Sequence, residues 1–169
     1  MSSIYGLPSF DGENLFIWAH SNGGQIALTT LAASGADYPT VLWAPVTKEF
    51  PYSVLYYLDE SEDGGKFIRS ELAKLEKKYE AGKFSFTNYL DRIKAPIQLY
   101  QGGTDDAIPL EWSRNFVALL RRSRNVSEWE DKNLGVEYFE YPEADHNLMP
   151  DWDGVVENNI EFYREAVKN

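Results

Sequence analysis

Short strand-like runs alternate with helix-period segments along this chain, and that alternation leaves few architectures open. Leu15-Phe16-Ile17-Trp18-Ala19, after the turn-forming Asp11-Gly12-Glu13-Asn14, reads as a buried strand. Thr40-Val41-Leu42-Trp43-Ala44 reads as a second, set between Pro39 and Pro45. Ile97-Gln98-Leu99-Tyr100 starts at Pro96 and ends at Gly102-Gly103, and Val136 to Tyr141 is a fourth. Between and after them, Gln25 to Ala33, Lys66 to Tyr79, Leu110 to Arg122 and Trp152 to Val167 read as helices. Phe67, Ile68, Leu72, Leu75 and Tyr79 fall at helical spacing in the second of these, as do Trp112, Phe116, Leu119 and Leu120 in the third. Strands alternating with helices imply right-handed crossovers and a mostly parallel sheet flanked by helices, so the fold class is α/β. A length of 169 residues suits a single domain over 1–169. Residues 47–94 exceed what a plain crossover needs, and their acidic loop Asp59 to Gly65 leads into a helix. We read that segment as an insertion forming a lid or flank beside a site.

Charge and composition remove several function classes. Sixteen Lys plus Arg against twenty-seven Asp plus Glu give a net charge of -11. Such a surface repels phosphate backbones and anionic lipids, so neither nucleic acid nor membrane is an expected partner. The absence of Cys removes disulfides, thiol catalysis and thiolate metal sites. With His20 and His146 the only histidines, no histidine-rich metal site can form, and no metal or cofactor is expected. No apolar run approaches the ~18 residues of a membrane span, and Met1 to Gly6 lack a basic region and an apolar stretch. The sequence as given leads to the expectation of a cytoplasmic protein.

In a parallel sheet, ligands bind outside the carboxyl ends of the strands, and three loops there carry chemistry. After the first strand comes Ala19-His20-Ser21-Asn22-Gly23-Gly24, a Ser between a buried strand and a Gly-rich helix start. This matches the nucleophile elbow G-x-S-x-G, with Gly23 two after the Ser and Ala19 replacing Gly two before. The Asn22 amide at the helix N-terminus offers one oxyanion donor. After the third strand comes Gly102-Gly103-Thr104-Asp105-Asp106-Ala107-Ile108-Pro109, and after the fourth Glu143-Ala144-Asp145-His146-Asn147. Each has a plainer reading: the Ser as a turn, Asp105-Asp106 as a helix cap, the His as a surface residue. Ser21, then an acid, then His146, on successive loops, is harder to read that way. Asp106 and Asp145 stand as other candidates for the acid. His20 reads as a packed neighbour of the nucleophile. Trp112 and Trp152 are among the aromatics able to line a pocket, and Arg121-Arg122-Ser123-Arg124 reads as capping a helix C-terminus.

Ser, acid and His in that chain order resemble the α/β-hydrolase superfamily. The motifs are most similar to the C-terminal part of the catalytic domain of prolyl oligopeptidases and of dienelactone-hydrolase-like esterases. In those relatives the acid lies four residues before the Pro of D-x-x-V-P, which implies Asp105. The resemblance implies that Ser21 is the nucleophile, His146 its base and Asp105 the residue that orients the imidazole. It covers nearly the whole chain but only part of the family's fold, a truncated or minimal version of it. Relatives carry further strands and helices before the nucleophile strand, including the loop that donates a second oxyanion amide, where this sequence has Met1 to Asn14.

The reading that follows is a serine hydrolase cleaving small or short-chain carboxylic esters through an acyl-enzyme, without a cofactor. Two others stand beside it: a peptidase fragment of the prolyl-oligopeptidase family, and an inactive remnant acting as an interaction module. With its usual neighbour missing, the first strand becomes an apolar sheet edge. A homodimer in which two such strands pair about a two-fold axis is the expected cover.

Overall fold

A computed structural model of the protein describes residues 11–124 and 135–167. Met1 to Phe10, on which the reading of the N-terminus rests, lie outside the described residues. Ile17–His20 (β1), Thr40–Trp43 (β2), Ile97–Gly102 (β3) and Val136–Tyr141 (β4) form one sheet in the order β1-β2-β3-β4. Every pair is parallel, with Trp43 opposite Tyr100 and Tyr100 opposite Phe139. All four carboxyl ends therefore lie along one rim of the sheet. Because successive strands are neighbours, each crossover moves one place in the same direction and leaves its helix on the same face.

That face is covered by helices α1 (Asn22–Ser34) and α4 (Leu110–Ser123), and by the 3-10 segment Phe86–Arg92 wedged between them. Side chains alternate along each strand, so Leu42, Ile97 and Leu99 join a core with Leu28 and Leu31 of α1 and Phe116 and Leu120 of α4. Val41, Trp43 and Tyr100 point the other way, where helix α5 (Trp152–Ala166) adds Val155, Phe162 and Tyr163. The result is three layers, two of helix around one of sheet.

Several expected elements shift for identifiable reasons. Helix α1 begins at Asn22 rather than Gln25, because Gly23 and Gly24 lie within its first turn. It ends as expected: Gly35 takes the left-handed conformation at φ 68° and donates its N–H to Leu31 O. Full burial holds for β2 but not β1, where Trp18 is 54% exposed. Among the described residues β1 has a strand on one side only, and an edge strand loses the cover that a neighbour supplies.

The segment 47–94 folds into two short helices, α2 (Tyr52–Leu55) and α3 (Lys66–Glu76), with 3-10 turns at Leu58–Glu60 and Ala81–Phe84 before the one at Phe86–Arg92. Its last part belongs to the core, since Phe86, Leu90 and Ile93 are buried beneath α1 and α4. Helix α3 forms where the spacing predicts it, yet buries no residue. The arginine cluster also departs from the capping role. Arg121 and Arg122 do lie in the last turn of α4, but the Arg124 guanidinium donates to the carbonyls of Ile93 and Ala95 at 2.8 Å each. It ties α4 to the chain entering β3, and burial holds its pKa below the usual arginine value. No helix among the described residues is long and apolar enough to cross a membrane.

Candidate active site

Ser21 is the single residue between the end of β1 and the start of α1. Turning from strand to helix in one step forces φ 55° and ψ -124°, a strained conformation for a residue with a side chain. The surroundings hold it there. Ser21 N–H donates to Trp43 O at 2.9 Å, and Ser21 O accepts from Gly24 N–H and Val46 N–H at 3.0 Å. Although Ser21 occupies the N-cap position, its hydroxyl makes no capping bond. The glycine requirement falls on a different residue from the one the motif names. A Cβ on Gly23 would sit an ordinary 3.9 Å from Ala19 Cβ, whereas one on Gly24 would collide with Pro45. Close packing of α1 on the loop after β2 therefore demands Gly24. The Asn22 amide is among the first-turn N–H groups of α1, which a helix leaves without intrahelical partners.

His146 belongs to the loop after β4, three strand spacings or about 14 Å from β1. Its loop must cross back over the end of β3, and Gly102 and Gly103 make the crossing possible. A Cβ on Gly102 would strike the carbonyls of Ala144 and Asp145, and one on Gly103 the backbone of Pro142. The crossing is pinned by Thr104, whose N–H and hydroxyl donate to Ala144 O at 3.0 and 2.9 Å. At the far end His20 Nε2 donates to His146 O at 3.0 Å, with the two rings 4.6 Å apart. His20 thus anchors the backbone of the loop that carries His146.

Asp105 meets the imidazole from the loop after β3. His146 Nδ1 lies 2.9 Å from Asp105 Oδ2 and 3.1 Å from Oδ1. The His146 side chain is 19% exposed and the Asp105 side chain wholly buried. Oδ1 also accepts from the amides of Ala107 and Ile108, and Oδ2 from Gln101 Nε2 at 2.7 Å. Gln101 is held in turn by the Ser113 hydroxyl of α4, 2.7 Å from Oε1, and both residues are fully buried. With Nδ1–H committed to the carboxylate, the Nε2 edge of His146 is left as the basic one. The other acids do not compete: Asp106 is exposed, and Asp145 Oδ1 accepts from the amides of Asn147 and Met149.

The structure thus brings His146 and Asp105 into contact and places Ser21 on the same rim, but no hydrogen bond joins Ser21 to His146 among the described residues. Nucleophile–base bonds in unliganded sites are commonly long and tighten around substrate. Ser21 opens into a cleft of about 350 Å³ whose walls include Val46, Ser53, Val54, Tyr57 and Ile108. Tyr57 donates to Ala107 O at 3.1 Å, and burial pushes its phenol up to about 12, so it stays neutral. Trp112 lines a larger neighbouring cleft of about 880 Å³ and meets Tyr56 edge-on at 4.9 Å. Trp152 instead packs edge-on against Trp43 at 6.2 Å on the α5 face. Sequence reasoning missed Gln101, Ser113 and Tyr57. The available signal was a Gln at the end of a strand, four residues before the acid. Among the described residues no cluster of three or more His, Asp or Glu could hold a metal ion.

Solved structures share this architecture. The acylaminoacyl peptidase of Pyrococcus horikoshii superposes with a TM-score of 0.69 at 18% identity, over 96% of this chain and 26% of its own. Dipeptidyl peptidase 4 of Porphyromonas gingivalis gives 0.67 at 18% identity, over 97% and 21%. The fold is that of the α/β-hydrolases. A Pyrococcus furiosus esterase carries the likeness to smaller α/β-hydrolases, with a TM-score of 0.58 at 16% identity over 90% of this chain and 53% of its own. The chain therefore spans about a fifth to a quarter of the peptidase chains and about half of the esterase. No protein-family model matches it, and no curated protein matches it by sequence.

Proposed function

We propose that the protein is a serine hydrolase of small carboxylic esters, with Ser21 as nucleophile, His146 as base and acid, and Asp105 orienting the imidazole. The observation that carries this is the conformation of Ser21: a strained φ of 55° at a strand end, with a hydroxyl that caps nothing. Backbone bonds hold Ser21 in that conformation while its hydroxyl makes no capping bond, and strain stored at a rim shared with a buried Asp–His pair suits an exposed nucleophile. In the reaction Ser21 Oγ attacks the ester carbonyl while His146 Nε2 takes its proton. The Asn22 amide holds the oxyanion and Asp105 stabilises the imidazolium. His146 then returns the proton to the departing alcohol, and water repeats the sequence on the acyl-enzyme. The acyl group occupies the cleft formed by Val46, Val54, Tyr57 and Ile108. No cofactor enters this scheme.

Esters are favoured over amides because the described residues offer one oxyanion donor, and expulsion of an amine needs stronger stabilisation than expulsion of an alcohol. Peptidase activity is the second reading, favoured by the dipeptidyl and acylaminoacyl peptidases among the structural neighbours. Initial rates on p-nitrophenyl acetate and butyrate, set against aminoacyl p-nitroanilides, separate the two. Ester hydrolysis that falls by at least about 10³-fold in Ser21→Ala supports the proposal. Comparable rates on anilides transfer it to the peptidase reading. A low rate unchanged by Ser21→Ala means that the chain is no hydrolase and leaves an interaction module.

A further inference from the structure

We infer that Tyr57 is a positioning residue for the Asp105–His146 pair, acting from the segment 47–94 through the single peptide group that joins Ala107 to Ile108. Its effect on rate rests on the hydrolase reading, whereas its effect on the Asp–His contact is read without substrate.

The bonds run in sequence from the phenol to the imidazole. The Tyr57 hydroxyl donates to Ala107 O at 3.1 Å, and Ile108 N–H donates to Asp105 Oδ1 at 2.8 Å. Ala107 O and Ile108 N–H are the two poles of one peptide group, and in a planar trans peptide they point in opposite directions. The phenol therefore holds one pole and the carboxylate the other. A donor at the carbonyl draws charge from the amide nitrogen and makes its N–H a stronger donor, so the two bonds reinforce each other. Oδ1 also accepts from Ala107 N–H at 2.9 Å and lies 3.1 Å from His146 Nδ1. Rotation of the 107–108 peptide would break the Tyr57 and Ile108 bonds together. A phenol bonded to Ala107 can thus steady a carboxylate two residues earlier.

The phenol is well suited to this. Burial first, then the neighbouring Tyr56 and Asp105, push its pKa up to about 12, so it keeps its proton in neutral solution. Its ring meets Tyr56 edge-on at 5.0 Å and Trp112 edge-on at 6.2 Å. Trp112 lies in the first turn of α4, and the next residue, Ser113, holds Gln101, whose amide donates to Asp105 Oδ2 at 2.7 Å. Consecutive residues of α4 therefore support both oxygens of Asp105: Oδ1 by way of Tyr57 and the 107–108 peptide, Oδ2 by way of Gln101.

Tyr57 also lines the Ser21 cleft, together with Ala107 and Ile108. Tyr57→Phe separates the two roles, because it keeps the ring in the cleft wall and removes only the donor. In p-nitrophenyl butyrate hydrolysis, kcat of Tyr57→Phe is expected to fall roughly 3- to 10-fold with KM within about twofold. In proton NMR of the unliganded chain, the His146 Nδ1–H is assigned by its loss in His146→Ala. In Tyr57→Phe it is expected to exchange with water at least about threefold faster, since a looser carboxylate releases that proton more often. Tyr79→Phe, the same change at an exposed tyrosine, should alter neither readout.

A fall in kcat with unchanged exchange makes Tyr57 a wall of the cleft alone and overturns the inference. A rise in KM alone, or no change in either readout, overturns it too. So does an Nδ1–H resonance missing from the unaltered chain, because then no carboxylate holds that proton. Faster exchange in Tyr57→Phe, alongside an ester rate that Ser21→Ala leaves unchanged, upholds the support of Asp105 and overturns the hydrolase reading instead.

Discussion

Asp105 is held by three donors besides His146: the amides of Ala107 and Ile108 and the side chain of Gln101. A carboxylate fixed on both oxygens cannot rotate away, so the imidazole it holds keeps one tautomer and one orientation. Asp105→Asn should therefore lower kcat by about 10⁴-fold while circular dichroism shows the fold intact. Gln101→Leu removes one donor and strands the Ser113 hydroxyl. It should lower kcat by roughly tenfold or more with little change in KM, read in the same ester assay. Ser21, Asp105 and His146 stood out in the sequence because each lies in a short polar loop after a strand-like run. Gln101 did not, because a buried Gln in a strand has no spacing signature until its two partners are seen. Among Asp105, Asp106 and Asp145 the offset from Pro109 pointed to Asp105, and the hydrogen bonds add that Asp145 is occupied by its own loop.

At the scale of elements, the sequence located strands and helices to within a few residues but misjudged which surfaces they bury. Period-3.6 spacing marked α3 correctly as a helix, yet spacing says nothing of whether a partner exists for the apolar face. Phe67 of α3 is 65% exposed, while Phe86, in a 3-10 turn without periodicity, is buried in the core. Chemical denaturation should thus find Phe67→Ala within about 0.5 kcal/mol of the unaltered chain. Phe86→Ala should cost about 3–5 kcal/mol. Glycines show the same gap between motif and packing. The elbow motif singles out Gly23, but the close approach of α1 to Pro45 occurs at Gly24. Gly24→Ala should cost about 1–3 kcal/mol through overpacking, and Gly23→Ala much less. Equal losses at the two positions would contradict the packing described for this turn.

Across the whole molecule, the sequential order β1-β2-β3-β4 sets the position of the candidate site. It spreads the Ser, Asp and His loops over the full width of the sheet. The His146 loop must then run back across Gly102 and Gly103 to approach Ser21. The same order leaves β1 at an edge among the described residues, with Trp18 exposed beside it. We propose that a second copy covers this edge, since an open apolar strand invites pairing. Light scattering at micromolar concentration should then report a dimer that Trp18→Lys weakens, and a monomer contradicts it. The role of Ser21 as an activated nucleophile is tested by a fluorophosphonate probe, read by intact mass and peptide mapping, on the unaltered chain and on His146→Ala. The probe reacts only with an activated serine and needs no knowledge of the substrate. One adduct is expected, at Ser21, and lost in His146→Ala; a folded chain that stays unlabelled, or labels equally without His146, would show that Ser21 is not activated by His146.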